Sequence, residues 1–316
     1  MTADIVIDIL FLTVGGFFVW LGAEGIVAGA VKLANYFGVS SLVVGLTVVA
    51  FGTSAPELVV SSIASFQGHN AIALGNVLGS NIINILLVLG ISALLAPMAV
   101  SKSMLTKDLP LVASITLLVV FLASAGDKFS RMDGVILLLI FAGYTVYTFI
   151  RAFRENRRAT TVDSWQRPEL KARHIIYLAG GLPMLALGAQ AMVKGASGVA
   201  TAAGVSEQII AMTLVAFGTS VPELAASAVA ARHGEGDLSI GNILGSNLYN
   251  MTLILGTAAS IAPISTKVEL LSANYFFFLL SIFILFPMMR IRWRFGRIDG
   301  LILITLYILS VIFLFL

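Results

Sequence analysis

AFGTSAPE at Ala50–Glu57 and GNVLGSNIIN at Gly75–Asn84 decide the fold, because both return 166 residues later. The second copies read AFGTSVPE at Ala216–Glu223 and GNILGSNLYN at Gly241–Asn250. Around these motifs Gly45–Pro97 overlays Ala211–Pro263 without a gap, and about half the positions are identical. The register persists outside that block. Gly38-Val39-Ser40 matches Gly204-Val205-Ser206, and Phe129, Arg131, Asp133 and Gly134 match Phe295, Arg297, Asp299 and Gly300. A repeat of this length implies duplication of a whole folding unit.

Composition says where the unit sits. Of 316 residues, 59% are hydrophobic and 11% charged, against about a quarter charged in soluble domains. Apolar runs of the length that spans a bilayer, about twenty residues, recur from Ile5 to Leu316. Ten segments follow, at 4–35, 41–66, 71–97, 104–125, 130–154, 170–202, 207–232, 237–262, 267–291 and 297–316. The start, Met1 to Leu12, carries Asp4 and Asp8 without a basic flank and reads as a retained first span. The expected fold is therefore an all-α integral membrane protein of ten transmembrane helices. Residues 1–150 form a first five-helix repeat, 151–169 a linker and 170–316 a second repeat. Five is odd, so the second repeat enters the bilayer from the opposite side, as in many secondary transporters.

The basic residues give the orientation. With the Arg-rich linker placed in the cytoplasm, both termini lie outside. Fifteen of the 19 Lys and Arg then fall inside, and only Lys128, Arg131, Lys194 and Lys267 outside. A multi-pass protein of the cell (inner) membrane is expected, with the bilayer as its surroundings and no nucleic-acid partner. Oligomeric state is left open, a monomer included. The absence of cysteine excludes disulfides, thiolate nucleophiles and cysteine-ligated metals, and no cofactor is expected.

Two acids lie deep in apolar segments at matched positions, Glu57 and Glu223. An ionised side chain near the bilayer centre costs at least about 2.5–3.5 kcal/mol, and neither segment carries a basic residue near its acid. A cation from solution is the natural counter-charge. Gly52 with Pro56, and Gly218 with Pro222, weaken the helix beside each acid. A proline cannot donate, so carbonyls near Ala50–Gly52 and Ala216–Gly218 are expected to turn toward an ion. Thr53, Ser54, Thr219 and Ser220 add hydroxyls. Ser80 with Asn84, and Ser246 with Asn250, stand four apart, on one helical face. These are hard oxygen donors, which suit Ca2+ with its six to eight flexible ligands better than Mg2+ or soft metals.

The paired GTSxPE and GNxxGSN motifs resemble the two alpha-repeats of the calcium/cation antiporter superfamily, above all its prokaryotic sodium/calcium exchanger branch. The likeness covers nearly the whole chain. It implies a ten-helix fold whose spans 2, 3, 7 and 8 hold the ions while spans 1 and 6 slide against them. It implies Ca2+ ligation by Glu57, Glu223 and the backbone oxygens of Thr53 and Thr219. Sodium sites would draw on Ala50, Ser54, Ser80, Ala216, Ser220 and Ser246 with the two glutamates, and Asn84 and Asn250 would complete the centre. Some relatives carry Asp where Asn250 stands here. That departure argues against potassium dependence and leaves the Na+ stoichiometry open.

The expected function is secondary active exchange of Ca2+ for Na+. A proton-driven Ca2+ exchanger is the same-class alternative and a passive channel another. An intramembrane hydrolase using the two glutamates as acid and base would need a metal motif or nucleophile, and neither HExxH nor GxSxG occurs. Asn76, Asn81, Asn242 and Asn247 could ligate or could bond helix to helix. Glu24, whose counterpart is Gln190, suits gating or solvation better than central ligation. Asp133 and Asp299 fit helix N-termini.

Overall fold

A computed structural model describes residues 2–160, 169–204, 216–266 and 271–314. Its helices, in chain order, begin with α1 (Thr2–Phe37), α2 (Ser41–Thr53), α3 (Ala55–Phe66), α4 (70–95), α5 (Met104–Ala125) and α6 (Arg131–Thr160). They continue with α7 (Ala172–Ala202), α8 (Ala216–Thr219), α9 (Val221–Arg232), α10 (236–261), α11 (Leu271–Phe283), α12 (Leu285–Arg292) and α13 (Arg297–Leu314). The expected starts of the seventh and ninth segments, 207–215 and 267–270, lie outside the described residues. Among the described residues six helices are long and apolar enough to cross a membrane, and the bent pair α2–α3 makes a seventh candidate.

The distribution of polarity is that of a membrane protein. Phe66, Phe153, Leu139 and Ile176 are 82%, 73%, 67% and 65% exposed. Glu57, Glu223, Ser80, Ser246, Asn84 and Asn250 are buried. Exposed apolar surface on this scale marks a lipid-facing protein. The chain is a mostly helical, multi-pass membrane protein.

Local sequence explains the breaks that shape its centre. The 47° bend between α2 and α3 falls at Ser54. Pro56 stands in the first turn of α3, where its missing N–H costs nothing. The chain therefore stops α2 and restarts as α3, instead of kinking one continuous helix. The same turn recurs at Ser220, with Pro222 at the start of α9. Further along, α4 and α10 each hold a π turn, at Ile83–Val88 and Asn250–Ile254. Such turns concentrate at functional sites.

Two short ribbons join the halves. β1 (Met98–Ala99) pairs with β4 (Arg294–Phe295), and β2 (Lys128–Phe129) with β3 (Ile264–Ser265). A shift of 166 residues converts β1 to β3 and β2 to β4, so each ribbon is the image of the other.

The long helices α1 and α7 pack antiparallel through a glycine seam. A Cβ on Gly15 would lie 2.7 Å from the Gly188 carbonyl oxygen, on Gly22 2.8 Å from that of Gly181, and on Gly29 2.7 Å from that of His174. The numbers in each pair add to 203, one unbroken register. Small residues that let backbones touch are a usual adhesive between membrane helices. At one end of α2, Glu155 of α6 accepts from the Ser40 amide (2.9 Å) and hydroxyl (3.0 Å). Arg151 joins Glu155 (3.2 Å) to the buried Asp108 of α5 (2.6 Å).

Candidate cation site

Glu57 opens α3 and Glu223 opens α9, each in the first helical turn and each essentially without solvent exposure. The two carboxyl groups come from opposite halves and are close enough to interact electrostatically. Neither is neutralised by a basic residue: the ion pairs of the described residues lie elsewhere. Ser54, in the break of the first half, donates to Glu223 Oε1 at 2.9 Å, and Ser246 of α10 reaches the same oxygen at 3.4 Å. Thr219 and Ser220 neighbour the Glu57 carboxyl, but neither of its oxygens gains a well-formed hydrogen bond.

The buried oxygens around the acids are under-used. Among the described residues, Ser80 Oγ, Ser220 Oγ, Glu223 Oε2 and both ends of the Asn84 and Asn250 amides have no hydrogen-bond partner. Native interiors satisfy nearly all such atoms, so this cluster suits a cation bound by hard oxygens. Asn84 lies within the π turn of α4, and Asn250 begins that of α10. Among the described residues no three His, Cys, Asp or Glu side chains cluster as a metal site. A cation here must draw on hydroxyl, amide and backbone oxygens beside the two acids.

The backbone differs from expectation in one respect. Pro56 and Pro222 cannot donate to the Gly52 and Gly218 carbonyls, as anticipated. The Ala50 carbonyl is not freed, because it accepts the Ser54 N–H at 3.0 Å. Ser220 N–H bonds Phe217 O at 3.0 Å, a contact that the Ser54 N–H does not make with Phe51 O. The two breaks are therefore unlike at the level of single carbonyls. Ala216 begins α8; its side chain lies outside the description.

The remaining candidates divide cleanly. Asn76 and Asn242 bond helix to helix: Thr219 Oγ1 donates to Asn76 Oδ1 (3.3 Å) and Thr53 Oγ1 to Asn242 Oδ1 (3.2 Å). Asn247 Nδ2 donates to the Asn81 carbonyl at 3.2 Å. Glu24 takes no part in the centre and meets His233 at 2.9 Å beside an open pocket of about 350 Å³. Asp133 and Asp299 accept backbone N–H groups of Ser130 (2.7 Å) and Gly296 (2.8 Å), just ahead of their helices. Ser61 and Ser227, which receive the Asn76 and Asn242 amides (2.9 and 3.0 Å), were missed from the sequence. Their signal was present: each stands four residues after a site glutamate, on the same helical face.

Comparison with known proteins converges on one group. The family model described as sodium/calcium exchanger protein matches residues 7–150 and 173–316. The putative antiporter CaxA of Alkalimonas amylolytica is 35% identical over 308 residues, covering 95% of this chain and 96% of that protein. The sodium/calcium exchanger MaX1 of Methanosarcina acetivorans is 30% identical over 351 residues, covering 98% and 99%. Among solved structures, the sodium-calcium exchanger NCX_Mj soaked with Na+ and Sr2+ superposes with a TM-score of 0.82 at 30% identity, over 98% of both chains.

Proposed function

The chain belongs to the sodium/calcium exchanger protein family, and from that premise we propose that it exchanges Ca2+ for Na+ through one site between Glu57 and Glu223. It is a cation antiporter and not an enzyme. The carrying observation is the pair of buried acids, one from each half, with Ser54 of the first half donating to Glu223 of the second and, among the described residues, no ion pair to either acid. Two carboxylates balance one Ca2+. They balance Na+ ions equally well, so the two cargoes exclude each other.

In this reading Glu57, Glu223 and the backbone oxygens of Thr53 and Thr219 hold Ca2+. Ala50, Ser54, Ser80, Ala216, Ser220 and Ser246 join the glutamates for Na+, with Asn84 and Asn250 at the centre. Na+ is preferred over H+ as the driving ion because MaX1 is named a sodium/calcium exchanger and NCX_Mj was studied with Na+.

Ten spans in two inverted five-helix repeats fit the contacts between distant segments. Both ribbons join loops that this topology puts on one side: β1 and β4 in the cytoplasm, β2 and β3 outside. The Ser40–Glu155 and Glu24–His233 contacts also join segments on the cytoplasmic side. Both termini then lie outside, in the inner membrane. Irregular backbone at the Ser54 and Ser220 breaks is tolerated at that depth because protein surrounds it. Alternating access follows if the α1–α7 pair moves as one body against the helices that carry the acids.

The test is 45Ca2+ uptake into proteoliposomes with voltage clamped. An outward Na+ gradient should drive uptake, and exchange of more than two Na+ per Ca2+ should make it voltage-dependent. Uptake that needs only a pH gradient would replace Na+ by H+ in this reading. Glu57→Gln and Glu223→Gln should each abolish Ca2+ transport in protein that still folds.

A further inference from the structure

We propose that Asn76 and Asn242 are positioning residues of the cation site, each holding the hydroxyl of the site threonine in the opposite half. The inference rests on the reading of Glu57 and Glu223 as that site. Two buried relays carry it. In one, Thr53 Oγ1 donates to Asn242 Oδ1 (3.2 Å) and Asn242 Nδ2 to Ser227 Oγ (3.0 Å). In the other, Thr219 Oγ1 donates to Asn76 Oδ1 (3.3 Å) and Asn76 Nδ2 to Ser61 Oγ (2.9 Å). A shift of 166 residues interchanges them. Every member is buried, Thr219 at 9% being the most exposed.

The amide orientation is fixed by chemistry. Asn76 Nδ2 also reaches the Glu57 carbonyl at 3.4 Å, and a carbonyl only accepts. The donor end of Asn76 must therefore face α3 and its oxygen must face Thr219. The equivalence of the relays gives Asn242 the same orientation.

Thr53 shows what the relay does. Its hydroxyl has one proton and three acceptors: Asn242 Oδ1 at 3.2 Å, Val49 O at 3.1 Å and Ala50 O at 3.4 Å. The Ala50 carbonyl already accepts Ser54 N–H and has one further lone pair to offer. If the Thr53 hydroxyl takes it, Ala50 has nothing left for Na+. Asn242 Oδ1 and Val49 O, the two nearer acceptors, share the hydroxyl proton, and Asn242 adds the pull across the halves that helps to keep it off Ala50. The backbone oxygen of Thr53, assigned to Ca2+, is not contested by its own hydroxyl. Loss of Asn242 therefore falls on Na+ more than on Ca2+. One net hydrogen bond corresponds to roughly two- to ten-fold in an equilibrium constant.

The experiment compares Asn242→Leu, Asn242→Asp and Thr53→Val in the full chain, in proteoliposomes, reading half-saturation for Na+ and for Ca2+ separately from kcat. Asn242→Leu should raise Na+ half-saturation by about two- to ten-fold while leaving that for Ca2+ within two-fold. Asn242→Asp keeps the acceptor and should restore Na+ half-saturation to the wild-type value or lower. On a Thr53→Val background there is no hydroxyl to misplace, so adding Asn242→Leu should cost nothing further for Na+, a non-additivity expected of a coupled pair. A fall in kcat or folded yield with both half-saturations unchanged, or fully additive losses, would reduce Asn242 to scaffolding and overturn the proposal. If Asn242→Leu does not fold, Ser227→Ala should give a smaller Na+ shift in the same direction, and no shift there has the same consequence. Displacement of bound 45Ca2+ by Na+ from purified protein reads the same affinities without transport. A wild type that binds both ions but does not exchange them defeats the transport reading and still tests the relay; one that binds neither ion overturns both.

Discussion

Gly15 and Gly16 are neighbours on α1 that should respond oppositely to the same substitution. A Cβ on Gly15 would meet the Gly188 carbonyl oxygen at 2.7 Å and the Met192 amide nitrogen at 2.8 Å; a Cβ on Gly16 would meet nothing within 4 Å. Both replacements by Ala gain the helix-propensity difference, about 0.8–1 kcal/mol. Gly15→Ala must also force two backbones apart. Overpacking costs about 1–3 kcal/mol, and backbone atoms yield less easily than the end of a side chain. The two variants should therefore differ by about 2 kcal/mol, with Gly16→Ala above wild type and Gly15→Ala below it. For chains of 150–250 residues that corresponds to roughly 4–8 °C in Tm, and to somewhat less here. Thermal unfolding of detergent-purified protein followed by size-exclusion chromatography reads the difference. Equal shifts in the two variants would refute the seam, and with it the idea that α1 and α7 form one body.

Arg151→Met should destabilise by about 3–5 kcal/mol, because it leaves Asp108 buried without its partner (the Asp108 side chain is 5% exposed); adding Asp108→Asn should recover part of the folded yield, and no recovery would contradict the ion-pair argument. Glu24→Gln should leave Ca2+ exchange within about two-fold, since its carboxylate meets His233 and not the central oxygens; a loss comparable to Glu57→Gln would put Glu24 in the transport pathway. Glu155→Gln should reduce thermal stability by about 1 kcal/mol or a little more, as an acceptor for the Ser40 amide and hydroxyl loses its charge; an unchanged Tm would show that α2 does not depend on this cap.

Much of the centre was legible because duplication writes it twice. Glu57 and Glu223, the prolines beside them and the turns at Ser54 and Ser220 all follow from residue type and matched position. The glycine seam was not legible. Gly15, Gly22 and Gly29 recur every seven residues, as do Gly181 and Gly188, but a helix does not reveal its partner or register until the two are paired. Nor could spacing tell which acceptor the Thr53 hydroxyl would choose. One of the acceptors within its reach is Asn242, 189 residues away in the chain. The unlike bonding of the Ser54 and Ser220 amides is equally hidden, because the sequences around them are nearly the same.

Isothermal titration of the purified chain with Ca2+ examines the shared site without any assumption about flux. One Ca2+ should bind per chain, Na+ should displace it competitively, and either Glu57→Gln or Glu223→Gln alone should remove it. Two independent Ca2+ ions per chain, or full binding in either single variant, would show that the two glutamates do not hold one ion between them.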